Sequence, residues 1–328
     1  RYLRENVAPM INKHEAECSF PFEILTDLSQ FGYLGGRIGE ADGGYDLTYV
    51  TWAMLMEEAG YCWGSLRTML NITNGTIQKL AAHATQDQKD RWLKPLLANQ
   101  IRCCTGLTEP NTGSDVAAIQ TRADAKGDHY VLNGAKLWIT NGVNADICQI
   151  VARTFSPNCD GKLSTFIVER GTAGFSAKAV EKMTLRCTGT SELTLDNVII
   201  PIENRIGPEG SALSNTLSGL NTARVNIAMG SVGQAQAALD LSIAHAKTRQ
   251  QFGKPIGAFQ LIQKHIVEMT IRVKAARALG YQAASLLDQG GEAREDCSIA
   301  KLYATQAAFE VADMALQVHG GLGYAVGY

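Results

Sequence analysis

The sequence predicts an α+β multidomain protein in which a strand-rich middle lies between two helical segments. Two changes of period carry that expectation. Spaced apolar positions give way to short alternating runs near residue 100, and long alanine-rich helical patterns resume after about residue 206. The third observation is length, because 328 residues exceed one small core and suit two or three packed units. The expected division is an N-terminal helical domain at 1–100, a strand domain at 101–206 and a C-terminal helical bundle at 207–328.

In the first segment, Phe22 to Phe31 carries apolar positions at helical spacing, and a loop rich in glycine follows (Gly35, Gly36, Gly39, Gly43, Gly44). Leu47 to Ala59 and Ser65 to Ala82 resume the helical period, and Asp87 to Ala98 opens with an acid, as a short amphipathic helix should. In the middle, Tyr130 to Leu132 runs into Asn133-Gly134, a strong hairpin signal, with Leu137 to Thr140 as the return strand. Asp146 to Arg153, Leu163 to Glu169 and Leu193 to Ile200 add short apolar runs, and Pro201 closes the region. So much strand in about a hundred residues suggests a barrel or sandwich. Thr222 to Thr248, Phe259 to Asp288 and Asp296 to His319 then read as long helices with one buried face, broken at Gly290-Gly291.

Bulk composition excludes several classes. Hydrophobic residues make up 45% and charged residues 19%, ordinary for a globular chain and unlike a disordered one. Thirty basic against 32 acidic residues leave a net charge of -2, with no basic run that would mark nucleic acid or a membrane surface. No apolar stretch has bilayer length, so membrane insertion is not expected. The eight cysteines form no C-x-x-C pair and no cysteine–histidine cluster of zinc spacing. Reduced thiols and no structural metal are the expectation, which places the chain inside the cell.

The residues that carry chemistry lie in three segments, and no Rossmann or Walker fingerprint accompanies them. Thr105 to Ser114 reads T-G-L-T-E-P-N-T-G-S and is followed by Asp115. Its glycines and hydroxyls can present backbone N–H groups to a polar ligand, although an exposed turn would look much the same. Trp138-Ile139-Thr140 places an indole and a hydroxyl two apart on a strand, so one could cover a flat ring while the other bonds its edge. A core tryptophan beside a turn is the plainer alternative. Arg249 to Pro255 joins two long helices, and a planar guanidinium suits a pyrophosphate, though a lone loop arginine is commonly just exposed.

In order and spacing these segments resemble the acyl-CoA dehydrogenase family, over essentially the whole chain. T-E-P-N-T-G-S-D from Thr108 is similar to that family's first signature. The run from Gln251-Phe252-Gly253 through Gln260 to Glu268-Met269 is similar to its second, and Gln317-Val318-His319-Gly320-Gly321 falls where the family places flavin contacts. The resemblance implies a helical domain, a β-barrel and a C-terminal four-helix bundle, with FAD as cofactor. Thr105, Leu107, Thr108, Gly113 and Ser114 would wrap the flavin. Trp138, Ile139 and Thr140 would cover its ring and edge. Arg249, Phe252, Gln260, Gln317, Gly320 and Gly321 would hold the adenosine half of an FAD bound mainly by a neighbouring subunit, hence a homotetramer. Asn221 and Arg224, in G-L-N-T-A-R, resemble a helix start that lines the thioester arm, and Ser114 would reach FAD phosphate or thioester.

The implied reaction is α,β-desaturation of an acyl-CoA, with a carboxylate removing the α-proton, hydride passing to the flavin, and electrons leaving to an electron-transfer flavoprotein. The base is the open position. Ala223 stands where some relatives carry a glutamate, and the resemblance implies one beyond Tyr328, where this chain ends. Glu109 reads as structural. Arg67 falls where the glutaryl-CoA dehydrogenase branch places an arginine for a distal carboxylate, although the glutamate of that branch is matched by Gly60. A monooxygenase of the same fold and a dehydrogenase of carrier-bound acyl groups are alternatives. The implied compartment is cytoplasmic in a bacterium and the mitochondrial matrix in a eukaryote.

Overall fold

The computed structural model describes residues 1–291 and 293–325, without the side chain of Ser218. In chain order the helices are α1 (Ile11–Glu17), α2 (Glu23–Ser29), α3 (Tyr49–Cys62), α4 (Gly64–His83), α5 (Gln86–Gln88) and α6 (Lys94–Leu97). The strands β1 (Cys103–Gly106), β2 (Arg122–Lys126), β3 (His129–Ile139), β4 (Ile147–Ser156), β5 (Cys159–Glu169), β6 (Phe175–Ala179), β7 (Ser191–Pro201) and β8 (Arg205–Ile206) follow. Then come α7 (Ala212–Thr248), β9 (Gln250–Gln251), β10 (Lys254–Pro255), α8 (Gln260–Asp288) and α9 (Arg294–His319). Two compact units result: 13–47 with 68–220, and 1–12 with 48–67 and 221–328.

The first of these contains the sheet, in the order β6-β7-β3-β2-β4-β5-β8 with β1 also on β4. Strand β4 is buried at seven of its ten positions, and neighbours cover both its edges. Alternate residues (Cys148, Ile150, Ala152) enter a core with Cys104, Tyr130, Phe166, Leu193 and Val198. Tyr130 and Phe166 meet edge to face at 4.8 Å. Strands β1 and β2 lie one after the other along the same edge of β4, pairing with 147–150 and 153–155. The chain between them is therefore an excursion that leaves the sheet at Gly106 and returns at Thr121.

Among the described residues the strands run as an open path whose ends, β6 and β8, do not pair, so the strand-rich middle is established and a closed barrel is not. Strand β8 is two residues long and β6 is largely solvent-facing, so neither offers a partner edge. Asn133-Gly134 is not a hairpin turn either. Strand β3 runs straight through it with a register shift against β7, and the reversal comes at Gly127, where φ is 68°. Gly134 is a bulge glycine because a Cβ there would meet the Thr121 backbone at 2.8 Å, while the Asn133 side chain accepts from the Asn197 N–H of β7.

The second unit gathers α3, α7, α8 and α9. An apolar cluster of Leu239, Met269, Val273, Val311 and Val318 joins the three C-terminal helices. Helix α3 from the N-terminal part packs beside them. The carboxylate of Asp288 receives the first N–H groups of α3 (Tyr49, 2.6 Å; Val50, 3.0 Å), where the helix dipole favours an anion. Trp52 Nε1 donates to Asn226 Oδ1 at 2.8 Å, and Glu57 accepts from Arg277 and Tyr281, each at 2.8 Å. Helices α3 and α7 approach closely at Gly60 and Gly230: a Cβ on Gly60 would meet the Gly230 backbone at 2.7 Å or less, so no side chain fits at Gly60. No helix among the described residues is long and apolar enough to cross a membrane.

Candidate functional site

The excursion from Thr105 to Thr121 is shaped by one buried ion pair. Glu109 and Thr112 close a tight turn over Pro110-Asn111 through two backbone bonds. The Glu109 carboxylate accepts from Lys136 Nζ at 2.8 Å, Thr121 N at 2.8 Å and Gln120 N at 2.7 Å. Side-chain exposure is 0% for Lys136 and 6% for Glu109. Burial opposes the charge on Glu109, but Lys136 and the two N–H groups outweigh it and hold the carboxyl below its usual range. Burial pushes Lys136 down to about 8, with Glu109 pulling the other way, so both groups are ionised at neutral pH. A carboxylate so fully engaged is a poor proton acceptor, which agrees with a structural Glu109.

The same lysine fixes the loop's ligand-facing edge. Lys136 Nζ also donates to the Leu107 carbonyl at 3.2 Å, and Leu137 N donates to the Thr108 carbonyl at 2.9 Å. The Thr105–Ser114 loop and the Lys136–Thr140 stretch are thereby brought together. Both carbonyls are engaged, whereas the Leu107 and Thr108 N–H groups have no backbone partner among the described residues. Trp138 lies beside them in the left-handed region (φ 62°) with 58% of its surface open. Asn141, also left-handed, is buried and donates to the Cys103 carbonyl at 2.9 Å, locking the turn after Thr140 to the start of β1. Gly113 and Ser114 are exposed.

In the other unit, Asn221 and Arg224 share a face of α7, with Arg224 donating to the Asn221 side chain at 3.0 Å. Helix α7 begins at Ala212, so G-L-N-T-A-R lies inside it and not at a helix start as expected. Arg67 is only 8% exposed, and its Nε has no hydrogen-bond partner among the described residues. Its side chain lies on Gly230, where a Cβ would come within 2.8 Å of Nε, and burial alone lowers its pKa. Arg249, Phe252, Gln260, Gln317, Gly320 and Gly321 are all exposed; Phe252 and Gly253 form the left-handed tip of the β9–β10 hairpin.

Three family models match the chain: the acyl-CoA dehydrogenase N-terminal domain over residues 1–100, the middle domain over 104–198 and the C-terminal domain over 213–328. This chain belongs to the acyl-CoA dehydrogenase family. Among curated proteins it is 35% identical over 323 residues to the caffeyl-CoA reductase–Etf complex subunit CarC of Acetobacterium woodii, covering 98% of this chain and 85% of that one. Among solved structures, a glutaryl-CoA dehydrogenase from Mycobacterium smegmatis in complex with FADH2 superposes with a TM-score of 0.94 at 30% identity, over 100% of this chain and 83% of that one. A glutaryl-coenzyme A dehydrogenase–glutaryl-CoA complex gives 0.94 at 34% identity, over 100% and 84%.

Within this member of the acyl-CoA dehydrogenase family, the sequence reading missed the residues that hold the site's shape. Lys136 carried no signal beyond standing two before Trp138, and a lysine on a strand reads as solvent-facing. Asn141 could have been suspected, since asparagine tolerates positive φ. All eight cysteines are free; Cys104 and Cys148, register partners on β1 and β4, lie Sγ to Sγ at 3.2 Å inside the core.

Proposed function

We propose that this protein is an FAD-dependent acyl-CoA dehydrogenase that desaturates an acyl thioester between its α and β carbons. One observation carries the reading: two adjacent backbone N–H groups, Leu107 and Thr108, have no backbone partner among the described residues and lie beside an open indole, on a loop pinned from within by Lys136. That is a donor pair and an aromatic wall, as a planar ring with carbonyl and nitrogen acceptors requires. When bound, FAD supplies the hydride acceptor. The chain's own part is to bind and orient. Thr105, Leu107, Thr108, Gly113 and Ser114 line one edge; Trp138, Ile139 and Thr140 cover the ring. Arg249, Phe252, Gln260, Gln317, Gly320 and Gly321 bind the adenosine half from a second subunit.

Asn221 and Arg224 hold the pantetheine arm, and Ser114 reaches its end. The α-proton passes to a carboxylate that is neither Glu109, which is fully bonded, nor at Ala223, which has none. Arg67 supports a carboxylated acyl group, because a buried guanidinium with an unpaired Nε discriminates strongly against an uncharged chain end. The functional division is 1–100, 101–206 and 207–328. A homotetramer accords with the exposed apolar side chains of α7 to α9 (Leu241, Leu261, Ile271, Leu302, Phe309, Leu316) and with an apolar groove that His245 and His319 line. The electron acceptor is an electron-transfer flavoprotein, and the compartment is the cytoplasm or the mitochondrial matrix.

The test is anaerobic. Flavin-loaded protein should bleach on mixing with a matching acyl-CoA, and Arg67→Met should raise KM for glutaryl-CoA while sparing butyryl-CoA. A flavin that no acyl-CoA bleaches, with oxygen consumed once it is reduced, would instead make the protein a monooxygenase.

A further inference from the structure

Helix α4 sets a second, half-buried cation against the sheet, on the face opposite the apolar core. Alternation along β4 sends Cys148 and Ile150 into that core and Gln149 the other way, toward α4. Thr105, the register partner of Gln149 on β1, lies beside it on the same face. Lys79 Nζ donates to Gln149 Oε1 at 3.1 Å, and one helical turn earlier Thr76 Oγ1 lies 3.4 Å from Thr105 Oγ1. Gln149 is fully buried, yet its Nε2 has no acceptor among the described residues. Lys79 makes no ion pair with a described residue, and burial alone lowers its pKa, to about 8. Turning the Gln149 amide over would set two donors face to face, so the orientation follows from the lysine.

Among the described residues the cluster thus offers an ammonium without an anion and an amide N–H without an acceptor, at the root of the loop that begins with Thr105. A trapped water would satisfy the amide but would leave the charge uncompensated. One carboxylate satisfies both, one oxygen to each donor. We propose that Lys79 and Gln149 form a carboxylate-binding site beside Thr105. The ligand is either the far end of a dicarboxylyl chain too long to end at Arg67, a source that rests on the function proposed above, or a small free carboxylate.

The experiment is calorimetric titration of the flavin-loaded protein with glutarate, which needs no turnover. Wild type should bind. Lys79→Met and Gln149→Leu should each weaken binding about ten-fold or more, as loss of a charge-assisted bond does. Thermal melts report whether each variant folds, and two variants on separate elements guard against one that does not. Binding of glutarate that Lys79→Met leaves intact, or that Arg67→Met alone abolishes, overturns the proposal, as does no binding to wild type. A second arm separates the sources: if Lys79→Met raises KM for an α,ω-dicarboxylyl-CoA and spares butyryl-CoA, the acyl end is the ligand. If glutarate binding falls and neither KM moves, the ligand is a free carboxylate. Should no thioester bleach the flavin, the proposed reaction fails while the titration still decides the site.

Discussion

Lys136 is buried in the sheet and Lys79, on α4, is half-buried against it; burial lowers both to about 8, yet they are opposite cases. Lys136 meets a carboxylate at 2.8 Å whose other lone pairs are filled by two backbone N–H groups, and it bonds the Leu107 carbonyl besides. Lys79 meets one neutral amide oxygen. The difference teaches that a depressed lysine is not in itself the mark of a ligand site. What matters is whether the protein supplies the counter-charge. Lys136 is complete and holds a shape; Lys79 and, in the other unit, Arg67 are incomplete.

The largest expected effect follows from the complete case. Lys136→Met removes the cation and leaves Glu109 buried beside two N–H donors, a loss of about 3–5 kcal/mol typical of breaking a buried pair. Because the same Nζ pins Leu107, the variant should also lose FAD. Urea unfolding and flavin content after gel filtration measure the two effects. Stability within error of wild type would erase the distinction between the two lysines. Glu109→Gln sharpens it, since it keeps the shape and turns Lys136 into a second Lys79. A cost of about 1.5–3 kcal/mol is expected, the worth of a hydrogen bond to a charged group, and the Lys136 pKa should fall below 8.

Gly230→Ala probes Arg67 by the same logic. A Cβ there would come within 2.8 Å of Arg67 Nε, but an arginine with an unpaired Nε can yield. A net change of about 1–2 kcal/mol in thermal unfolding is expected, at the low end for overpacking, together with a raised KM for glutaryl-CoA. A larger loss would mean that Arg67 is held as firmly as Lys136.

Much of the architecture was legible because period is legible. The long apolar stripes became α7, α8 and α9, and the alternating runs became β4, β5 and β7. The fingerprint loop and Trp138 were found from composition and order, and the structure sets them side by side. What failed had a physical cause. Asn133-Gly134 has the chemistry of a turn, but only the crossing of Thr121, remote in sequence, decides that glycine is needed there for close approach. The open ends of the sheet depend on which strands find edges, which no local pattern encodes. The lysines were invisible for a related reason. A lysine two before a tryptophan and another in a helical run both read as surface, and only tertiary contacts bury the first and half-bury the second.

The smallest effect tests the incomplete case directly. In the unfolded chain Lys79 would titrate near its ordinary 10.5, against about 8 when folded. Between those values the unfolded chain holds a proton that the folded one has released, so stability rises with pH across that window and is flat below it, where both forms are protonated. Each such lysine adds at most about 1.4 kcal/mol per pH unit. Wild type has two lysines lowered as far as about 8, Lys79 and Lys136, and Lys79→Met should retain one, halving their part of the slope in urea midpoints measured from below about 8 to near 10.5. Saturating glutarate should flatten the wild-type curve in the same way, because a bound carboxylate supplies the missing counter-charge and returns the Lys79 pKa toward its ordinary range. If glutarate leaves the slope unchanged, Lys79 is merely a buried lysine, and the contrast with Lys136 is one of packing alone.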